Sequence, residues 1–447
     1  MAADVLLINP WIIDFAAYDL WAKPLGLLYI GDLLRRFDGV QVQLIDCLDA
    51  GLLPESCRLK VKRRPNGSGH YYAEEIAKPA ALASVPRQYR RFGLPEEVFR
   101  AALRQVPVPD AVVVTSQMTY WYPGIQQTIK VLREECPQAA IILGGIYATL
   151  CCDHARRHSG ADHIVPGTNL GDLVALLSRL GVVQKTLPSG PVDLFQLSPA
   201  WDLYRELSCL VLTTSIGCPY RCPYCASARL YPVYRRRPPE AVFAELDCWL
   251  SRFPEVKDIA FYDDALLLAA ETGLLPLLEQ VEWASLAVRF HTPNGLHVKA
   301  ITRELARAMK RGGFTTIRLS LETTDGALQR QWGGKTEKQQ FEAAVGHLLA
   351  AGFPAGQLDI YLLVGVPGQC WQQVEEDIVF VRSLGLRPRL TEYSPIPGTA
   401  LWPAACAVSP YDLQREPLFH NNTLVSCGGR EFARERLDEL KQLAHGL

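Results

Sequence analysis

The sequence contains no long apolar run and no excess of charge of either sign. No uninterrupted apolar stretch reaches the about 18 residues that a membrane-spanning helix needs, and Met1 to Val5 carry no basic region ahead of an apolar segment. We therefore expect a cytoplasmic protein with no membrane span. The 46 lysine and arginine residues offset 47 acidic residues to give a formal charge of -1. This balance supplies no overall attraction for polyanions, so we expect no nucleic-acid partner.

The sequence also lacks internal repeats, low-complexity tracts and a secretory signal. Its 447 residues are 49% hydrophobic and 21% charged, which excludes a mainly disordered or collagen-like chain. At about 150 residues per domain, the length predicts two or three domains. The 13 cysteines are an odd number. Without a secretory signal they disfavour a disulfide framework and favour metal or redox chemistry.

The first part of the chain alternates apolar runs with stretches of helical spacing. Helices are predicted over 25–36 and 124–135, and strands over 5–8, 42–45, 111–114, 140–143 and 163–165. This alternation is typical of a parallel sheet that helices cover on both faces. We therefore predict an α/β, doubly wound, Rossmann-like domain over residues 1–185.

A segment over about 52–109 interrupts this domain and is rich in basic and aromatic residues. It contains Arg58, Lys60 and Lys62 and, further on, Arg87 and Arg90. Insertions of this length are usually functional or disordered. Two interpretations stay open: a solvated loop, or a flap whose cations meet an anionic group.

Proline and glycine residues predict a linker over 186–205, and strand-then-helix units follow it. We count six such units over 206–400, with strands near 209–216, 258–262, 286–291, 315–321, 358–364 and 389–393. Six units predict an open (β/α)6 partial TIM barrel, whose functional groups lie at the carboxyl ends of its strands. Residues 401–447 are predicted to form a C-terminal appendix of loop and helix.

Three cysteines follow the first predicted barrel strand directly: Cys218, Cys222 and Cys225. Three thiolates in one tight loop are able to hold a single metal centre. A [4Fe-4S] cluster normally takes four thiolates, so a set of three leaves one iron open to another ligand. The alternatives are three reduced core thiols, or a zinc site with a distant fourth ligand.

With these spacings the sequence resembles the radical S-adenosylmethionine (SAM) superfamily, in its branch with a cobalamin (B12)-binding domain. The signature CxxxCxxC has an aromatic residue before its last cysteine, here Tyr224. Four further segments resemble strand-end segments of that family: 261–264, 317–322, 363–368 and 395–399. The resemblance covers about residues 206–400.

The resemblance implies a mechanism and a set of contacts. The open iron of a [4Fe-4S] cluster binds S-adenosyl-L-methionine, and one electron from a reductant such as flavodoxin or ferredoxin leads to a 5'-deoxyadenosyl radical. The cysteines would be the metal ligands and the catalytic centre, and the family pattern places cofactor contacts at Tyr224, Asp264, Ser320, Glu322, Gly365 and Pro367. Strand alternation puts Arg318, Ser320 and Glu322 on one face. An internal salt bridge between Arg318 and Glu322 is the competing interpretation.

The doubly wound domain resembles the cobalamin-binding domain that precedes many radical SAM barrels. Ser116 and Met118 follow one predicted strand, and Gly144 and Gly145 follow the next. Small residues at strand ends let a flat macrocycle approach the backbone. The histidine element that supplies a lower axial ligand in many cobalamin proteins is missing, because the loop over 9–24 contains no histidine. Cobalamin is therefore a predicted cofactor, and a platform for substrate or partner is the alternative.

The resemblance implies an oxygen-sensitive enzyme that methylates an unactivated carbon of a small-molecule substrate. A second interpretation is radical oxidation, cyclisation or carbon-carbon bond formation, with or without cobalamin. A cobalamin-binding sensor is an interpretation of another class. The cysteine triplet disfavours a sensor, which needs no open iron.

Overall fold

The computed structural model describes residues 3–184 and 192–446. The chain divides into two compact units, Met1–Leu207 and Ser208–Leu447. The first six residues of the predicted linker, 186–191, lie outside the described residues. The remaining part of it belongs to the first unit, where Trp201 is completely buried and the Tyr204 hydroxyl donates to Asp46 Oδ2 at 2.6 Å.

The first unit has ten strands and seven α-helices among its described residues. In chain order these are β1 (Ala3–Asn9), β2 (Ile12–Asp14), β3 (Tyr18–Asp19), α1 (Leu25–Leu34), β4 (Val40–Asp46), α2 (Glu55–Arg58), β5 (Gly69–His70), β6 (Ala73–Glu75), β7 (Arg90–Phe92), α3 (Glu96–Leu103), β8 (Ala111–Val114), α4 (Tyr122–Glu135), β9 (Ala140–Leu143), α5 (Gly145–Leu150), α6 (Cys152–His158), β10 (His163–Ile164) and α7 (Leu170–Arg179).

The main sheet of this unit is parallel, in the order β10-β9-β8-β1-β4. Its central strands β1 and β8 are apolar on both faces and almost fully buried, as a sheet between two helical layers requires. The chain runs from β1 to β4 on one side and then to β8 on the other. Ligands of doubly wound sheets bind at such a switch point, beyond the carboxyl ends of the strands.

The segment over 52–109 is largely ordered rather than a simple loop. Its strands β6 and β7 pair with β2 in an antiparallel sheet of order β2-β7-β6, and Arg91 on β7 forms ion pairs with Glu74 and Glu96. The segment closes on the main sheet where the Leu94 N–H donates to the Cys47 carbonyl at 2.7 Å.

The second unit has nine strands and nine α-helices among its described residues. In chain order these are β11 (Leu210–Leu212), β12 (Ser215–Ile216), α8 (Ser227–Leu230), β13 (Arg235–Arg236), α9 (Pro239–Arg252), β14 (Asp258–Phe261), α10 (Leu274–Trp283), β15 (Arg289–His291), β16 (Leu296–His297), α11 (Arg303–Arg311), β17 (Phe314–Glu322), α12 (Gly326–Gln331), α13 (Lys338–Ala350), β18 (Leu358–Val364), α14 (Trp371–Ser383), β19 (Arg387–Glu392), α15 (Trp402–Val408) and α16 (Arg434–His445).

Six parallel strands of this unit form the partial barrel, in the order β11-β14-β15-β17-β18-β19. The first strand is shorter than the predicted 209–216, because residues 215–216 leave it to pair with β13. The segment after residue 400 packs onto the barrel: Lys441 on α16 pairs with Glu392 at 2.7 Å, and Arg436 covers the Trp371 ring at 3.9 Å.

Over 3–184 and 192–446, none of the helices combines the length and the apolar character that crossing a membrane would require.

Candidate functional site

The three cysteines lie in a loop that begins with a sharp turn after β12. Gly217 has φ +78°, and a Cβ there would come within 2.9 Å of two backbone carbonyls. The Cys225 N–H donates to the Cys222 carbonyl at 3.0 Å, which closes the loop on itself. Ser227 fixes the last thiol: its N–H lies 3.4 Å and its Oγ 3.2 Å from Cys225 Sγ. The turn at Gly217 therefore shapes the backbone of the loop, and Ser227 orients the Cys225 thiol.

The thiols are close enough to interact electrostatically. Burial, with a smaller contribution from the neighbouring Cys225, raises the pKa of Cys218 and raises that of Cys222 to about 11. Within the described ranges no three His, Cys, Asp or Glu side chains converge on a point where one metal ion would fit. A four-iron cluster binds each thiolate at a separate iron, so the three thiols of Cys218, Cys222 and Cys225 are the kind of donor set that such a cluster takes.

A hydrogen-bonded network joins this loop to the carboxyl end of β17. The Tyr224 hydroxyl donates to Glu322, and Lys335 Nζ donates to the other carboxylate oxygen at 2.7 Å. Lys335 also lies 5.5 Å from the centre of the Tyr224 ring. Burial, together with the charge of Glu322, raises the pKa of Tyr224, so this phenol stays protonated and remains a donor.

Lys335 is a site residue that the sequence analysis missed. Burial opposes its positive charge, but the charges of Glu322 and Cys222 outweigh that effect and raise the pKa of Lys335. It is therefore a stable cation beside the thiols. The sequence offers no signal for this role, because Lys335 follows two glycines in a connecting segment.

The predicted alternation along β17 is broken at its end. The register with β18 shifts between Ser320 and Glu322, and Glu322 has φ +70°, a conformation that is strained for a residue with a side chain. Glu322 consequently pairs with Lys335 and not with Arg318. The competing salt bridge between Arg318 and Glu322 is therefore not formed.

The two aspartates after β14 differ in their surroundings. Asp263 is buried and accepts bonds from Thr214 Oγ1 at 2.7 Å and Ser215 Oγ at 2.6 Å, which ties the end of β14 to the start of the cysteine loop. Asp264 is half-buried; burial raises its pKa, and the side chain of Ser227 donates to it. Asp264 is therefore joined to Cys225 through Ser227.

The remaining predicted contacts lie on β17 and on the turn after β18. Ser320 is half-buried on β17, and Pro367 is half-buried in the turn. Gly365 has φ +78°, and its N–H donates to Gln369 Oε1 at 2.9 Å. Gln369 also donates to the Leu363 carbonyl at 2.9 Å. This glutamine, which the sequence analysis did not single out, fixes the turn.

In the first unit the structure brings together the residues that follow β8 and β9. Ser116 is buried; its Oγ donates to the Gly144 carbonyl at 2.5 Å, and its carbonyl accepts from the Ile146 N–H at 2.9 Å. Gly145 has φ +88° and passes so close to Ser116 that a Cβ would lie 2.3 Å from its carbonyl oxygen. Met118 is 46% exposed. A close-packed backbone platform thus lies at the sheet's carboxyl edge, where this fold binds ligands.

Comparison with known proteins gives matches to both units. Residues 212–381 match the model of the radical SAM superfamily. An uncharacterised methyltransferase of Pyrococcus horikoshii is 23% identical over 368 residues, which are 75% of this chain and 75% of that protein. These matches confirm the resemblance that the cysteine spacing indicated.

Two solved structures share the fold. The radical S-adenosylmethionine methyltransferase TsrM from Kitasatospora setae, with tryptophan substrate and a SAM analogue bound, is 15% identical with a TM-score of 0.64, over 92% of this chain and 78% of its own. The cobalamin-dependent S-adenosylmethionine radical enzyme OxsB, with aqua-cobalamin and SAM bound, is 13% identical with a TM-score of 0.58, over 100% of this chain and 62% of its own. The predicted fold class is confirmed.

Proposed function

The second unit of this chain is a radical SAM domain, and from that premise we propose a cobalamin-dependent radical SAM methyltransferase that methylates an unactivated carbon of a small molecule. The observation that carries the proposal is the cysteine loop and the hydrogen-bonded network that joins it to Glu322. The first unit of the same chain has a doubly wound sheet, whose carboxyl edge is the usual place for a ligand. Both units are needed for this chemistry.

Cys218, Cys222 and Cys225 would hold the [4Fe-4S] cluster. When bound, the cluster supplies one electron to the sulfonium of S-adenosylmethionine, after accepting it from a reductant such as flavodoxin or ferredoxin. The chain orients the thiolates through Ser227 and Gly217. Cys222 is buried, whereas Cys218 and Cys225 are half-buried, so water is partly excluded from this centre.

The end of β17 would contact the polar groups of SAM. Glu322 offers carboxylate oxygens that accept hydrogen bonds, and Lys335 beside it offers a cation that donates them. Both side chains are largely buried, at 11% and 12% exposure, so their interactions are weakly screened. Asp264, Ser320, Gly365 and Pro367 remain proposed contacts.

Replacing Lys335 by methionine should weaken SAM binding. The change removes the cation that would donate to a polar group of SAM, and losing one hydrogen bond to a charged group costs about 1–3 kcal/mol, which corresponds to roughly a 5- to 150-fold rise in Kd. Isothermal titration of the cluster-loaded protein with SAM measures this change. Lys338→Met, an exposed lysine on α13, is the matched control and should bind normally. An unchanged Kd for Lys335→Met would remove Lys335 from the site.

The platform of the first unit would hold cobalamin. Ser116, Gly144 and Gly145 form a backbone surface without large side chains, and the exposed Met118 borders it. Such a surface suits a flat macrocycle. When bound, cobalamin supplies a carrier for the methyl group. The chain's part is to position that carrier without a histidine from the loop over 9–24.

The experiment that tests the proposal is cofactor stoichiometry. The protein is produced and purified without oxygen in the presence of added cobalamin, and iron and corrin are quantified on the same sample. We expect near-equimolar cobalamin beside a full [4Fe-4S] cluster, with S-adenosylhomocysteine and 5'-deoxyadenosine formed once a reductant and SAM are added. A full cluster without corrin would overturn the cobalamin part and make cobalamin-free radical chemistry the leading account.

A further inference from the structure

The inner face of the partial barrel carries an arginine that forms no ion pair with any carboxylate of residues 3–184 and 192–446. Arg318 lies on β17 and is 9% exposed. Its neighbours along the strand, Ile317 and Leu319, are completely buried, as the helix-covered side of a barrel strand requires, so Arg318 lies on the opposite, inner face. Arg318 Nη1 donates to the Tyr361 hydroxyl at 2.7 Å and to the Pro293 carbonyl at 3.1 Å.

Other buried cations of this unit have an acidic partner. Arg237 pairs with Glu245 at 2.7 Å, with both side chains 4% exposed, and Lys335 pairs with Glu322. Burying a charge without such a partner is costly, and buried charges are therefore normally paired. Over the residues that the structure describes, Arg318 has no ion pair. A negatively charged ligand would supply the counter-charge that Arg318 lacks among these residues.

The carboxylates on nearby barrel strands are already engaged. The pairs are Asp359 with Arg387 and Arg389, and Asp258 with Arg289 and His291. Asp359 is the register partner of Arg318 on β18, so two arginines compete with Arg318 for its nearest strand neighbour. The protein thus provides Arg318 with neutral acceptors instead of a carboxylate.

The guanidinium has two nitrogens left for a ligand. Arg318 Nε and Nη2 donate to none of the described residues, and neither is among the fully enclosed polar atoms that lack a partner, so both retain some accessible surface. A carboxylate accepts two parallel bonds from such a fork. Tyr361 holds the group in place, because its hydroxyl accepts from Nη1 while it donates to the Pro293 carbonyl at 3.0 Å.

We propose that Arg318 is the anchor for a carboxylate of the substrate, which places the substrate among carboxylic acids. The inference rests on the proposed function and narrows its substrate class. Ser320 and Glu322 lie further along the same strand, toward the carboxyl end where the SAM contacts are proposed. An acid bound at Arg318 therefore lies on the inner face beneath those contacts.

The first test compares two buried arginines in the ligand-free, cluster-loaded protein. Arg318→Met removes an uncompensated charge and orphans no acceptor, since Tyr361 still donates to the Pro293 carbonyl. We expect its Tm to rise by about 2–4 °C. Arg237→Met removes a cation that pairs with the buried Glu245 carboxylate and should lower Tm. A fall in Tm for Arg318→Met would show a structural arginine and overturn the proposal.

The second test identifies the ligand chemistry and its source. Tm is measured with acetate, succinate and indole-3-acetate against their amides, with S-adenosylhomocysteine present. We expect at least one acid to raise the Tm of the wild type above its amide, and Arg318→Met to abolish the difference. Equal effects of acids and amides would contradict the proposal. S-adenosylhomocysteine should raise the Tm of the wild type and of Arg318→Met equally. If it raised the Tm of the wild type alone, Arg318 would bind the carboxylate of SAM and not that of the substrate. Neither test requires turnover. A protein that does not transfer a methyl group can still show carboxylate binding at Arg318, so a failure of the proposed function is distinguishable from a failure of this inference.

Discussion

Replacing Cys222 with alanine should remove the iron from this protein and abolish 5'-deoxyadenosine formation. The loop supplies three thiolates, and losing one leaves two irons without a protein ligand instead of one. Cys222 is buried against Gly333, so no solvent-exposed side chain takes its place. We expect the rate to fall by about 1,000-fold or more, because no other group supplies the electron. Iron analysis and quantification of 5'-deoxyadenosine measure both losses.

Cys248→Ala is the matched control for this variant. Cys248 is an exposed thiol on α9, outside the cysteine loop, so its replacement should leave iron and rate unchanged. Cobalamin binding should persist in Cys222→Ala, since its proposed platform belongs to the other unit. Normal iron in Cys222→Ala would contradict the cluster assignment. An unchanged biological output of that variant would favour the sensor interpretation.

Gly145→Ala should unfold the backbone platform that we propose for cobalamin. Gly145 has φ +88°, and a Cβ there would lie 2.3 Å from the Ser116 carbonyl oxygen and 2.6 Å from its nitrogen. Both are backbone atoms of a buried strand end, so neither moves without disturbing the sheet. We expect a loss of about 3 kcal/mol or more in the free energy of unfolding, together with loss of cobalamin. Urea unfolding followed by circular dichroism and the corrin absorption spectrum check this result.

The neighbouring Gly144 separates a folding effect from a binding effect. Its φ is -125°, and the nearest atom to an added Cβ is the Val165 carbonyl oxygen at 3.5 Å, an ordinary contact. Gly144→Ala should therefore fold like the wild type, yet bind cobalamin more weakly if the macrocycle approaches this backbone. Normal cobalamin affinity in Gly144→Ala would place the macrocycle elsewhere. A stable Gly145→Ala would contradict the observed close approach of Gly145 to the Ser116 backbone.

The parallel sheet was predictable because its strands are buried on both faces. Continuous apolar runs mark such strands, and the predicted 111–114 and 140–143 have the bounds of β8 and β9. The cysteine loop was predictable for a different reason, since its three cysteines, which we propose as ligands, lie close together in sequence. The strands and the cysteine loop were predictable because both depend on local sequence, which periodicity and spacing report.

Features that depend on distant contacts were not predictable. Lys335 reaches the cysteine loop because of a register shift and a strained backbone at Glu322, neither of which has a sequence signal. The sheet of β2, β7 and β6 joins strands of three residues each from separate segments, too short to show a period. The shortened β11 likewise follows from the pairing of β12 with β13.

The insertion of the first unit returns to the end of β4, where the Leu94 N–H donates to the Cys47 carbonyl at 2.7 Å, so its two ends lie close together in space. Closing a loop between such ends costs entropy that grows by only about 0.6 kcal/mol for each doubling of its length. A longer connection between these ends therefore adds little entropic cost. The limit on such changes is set by the residues that contact the rest of the unit: Phe92 pairs with Ile12 on β2, and the Leu94 carbonyl accepts from Trp11 Nε1 at 2.7 Å.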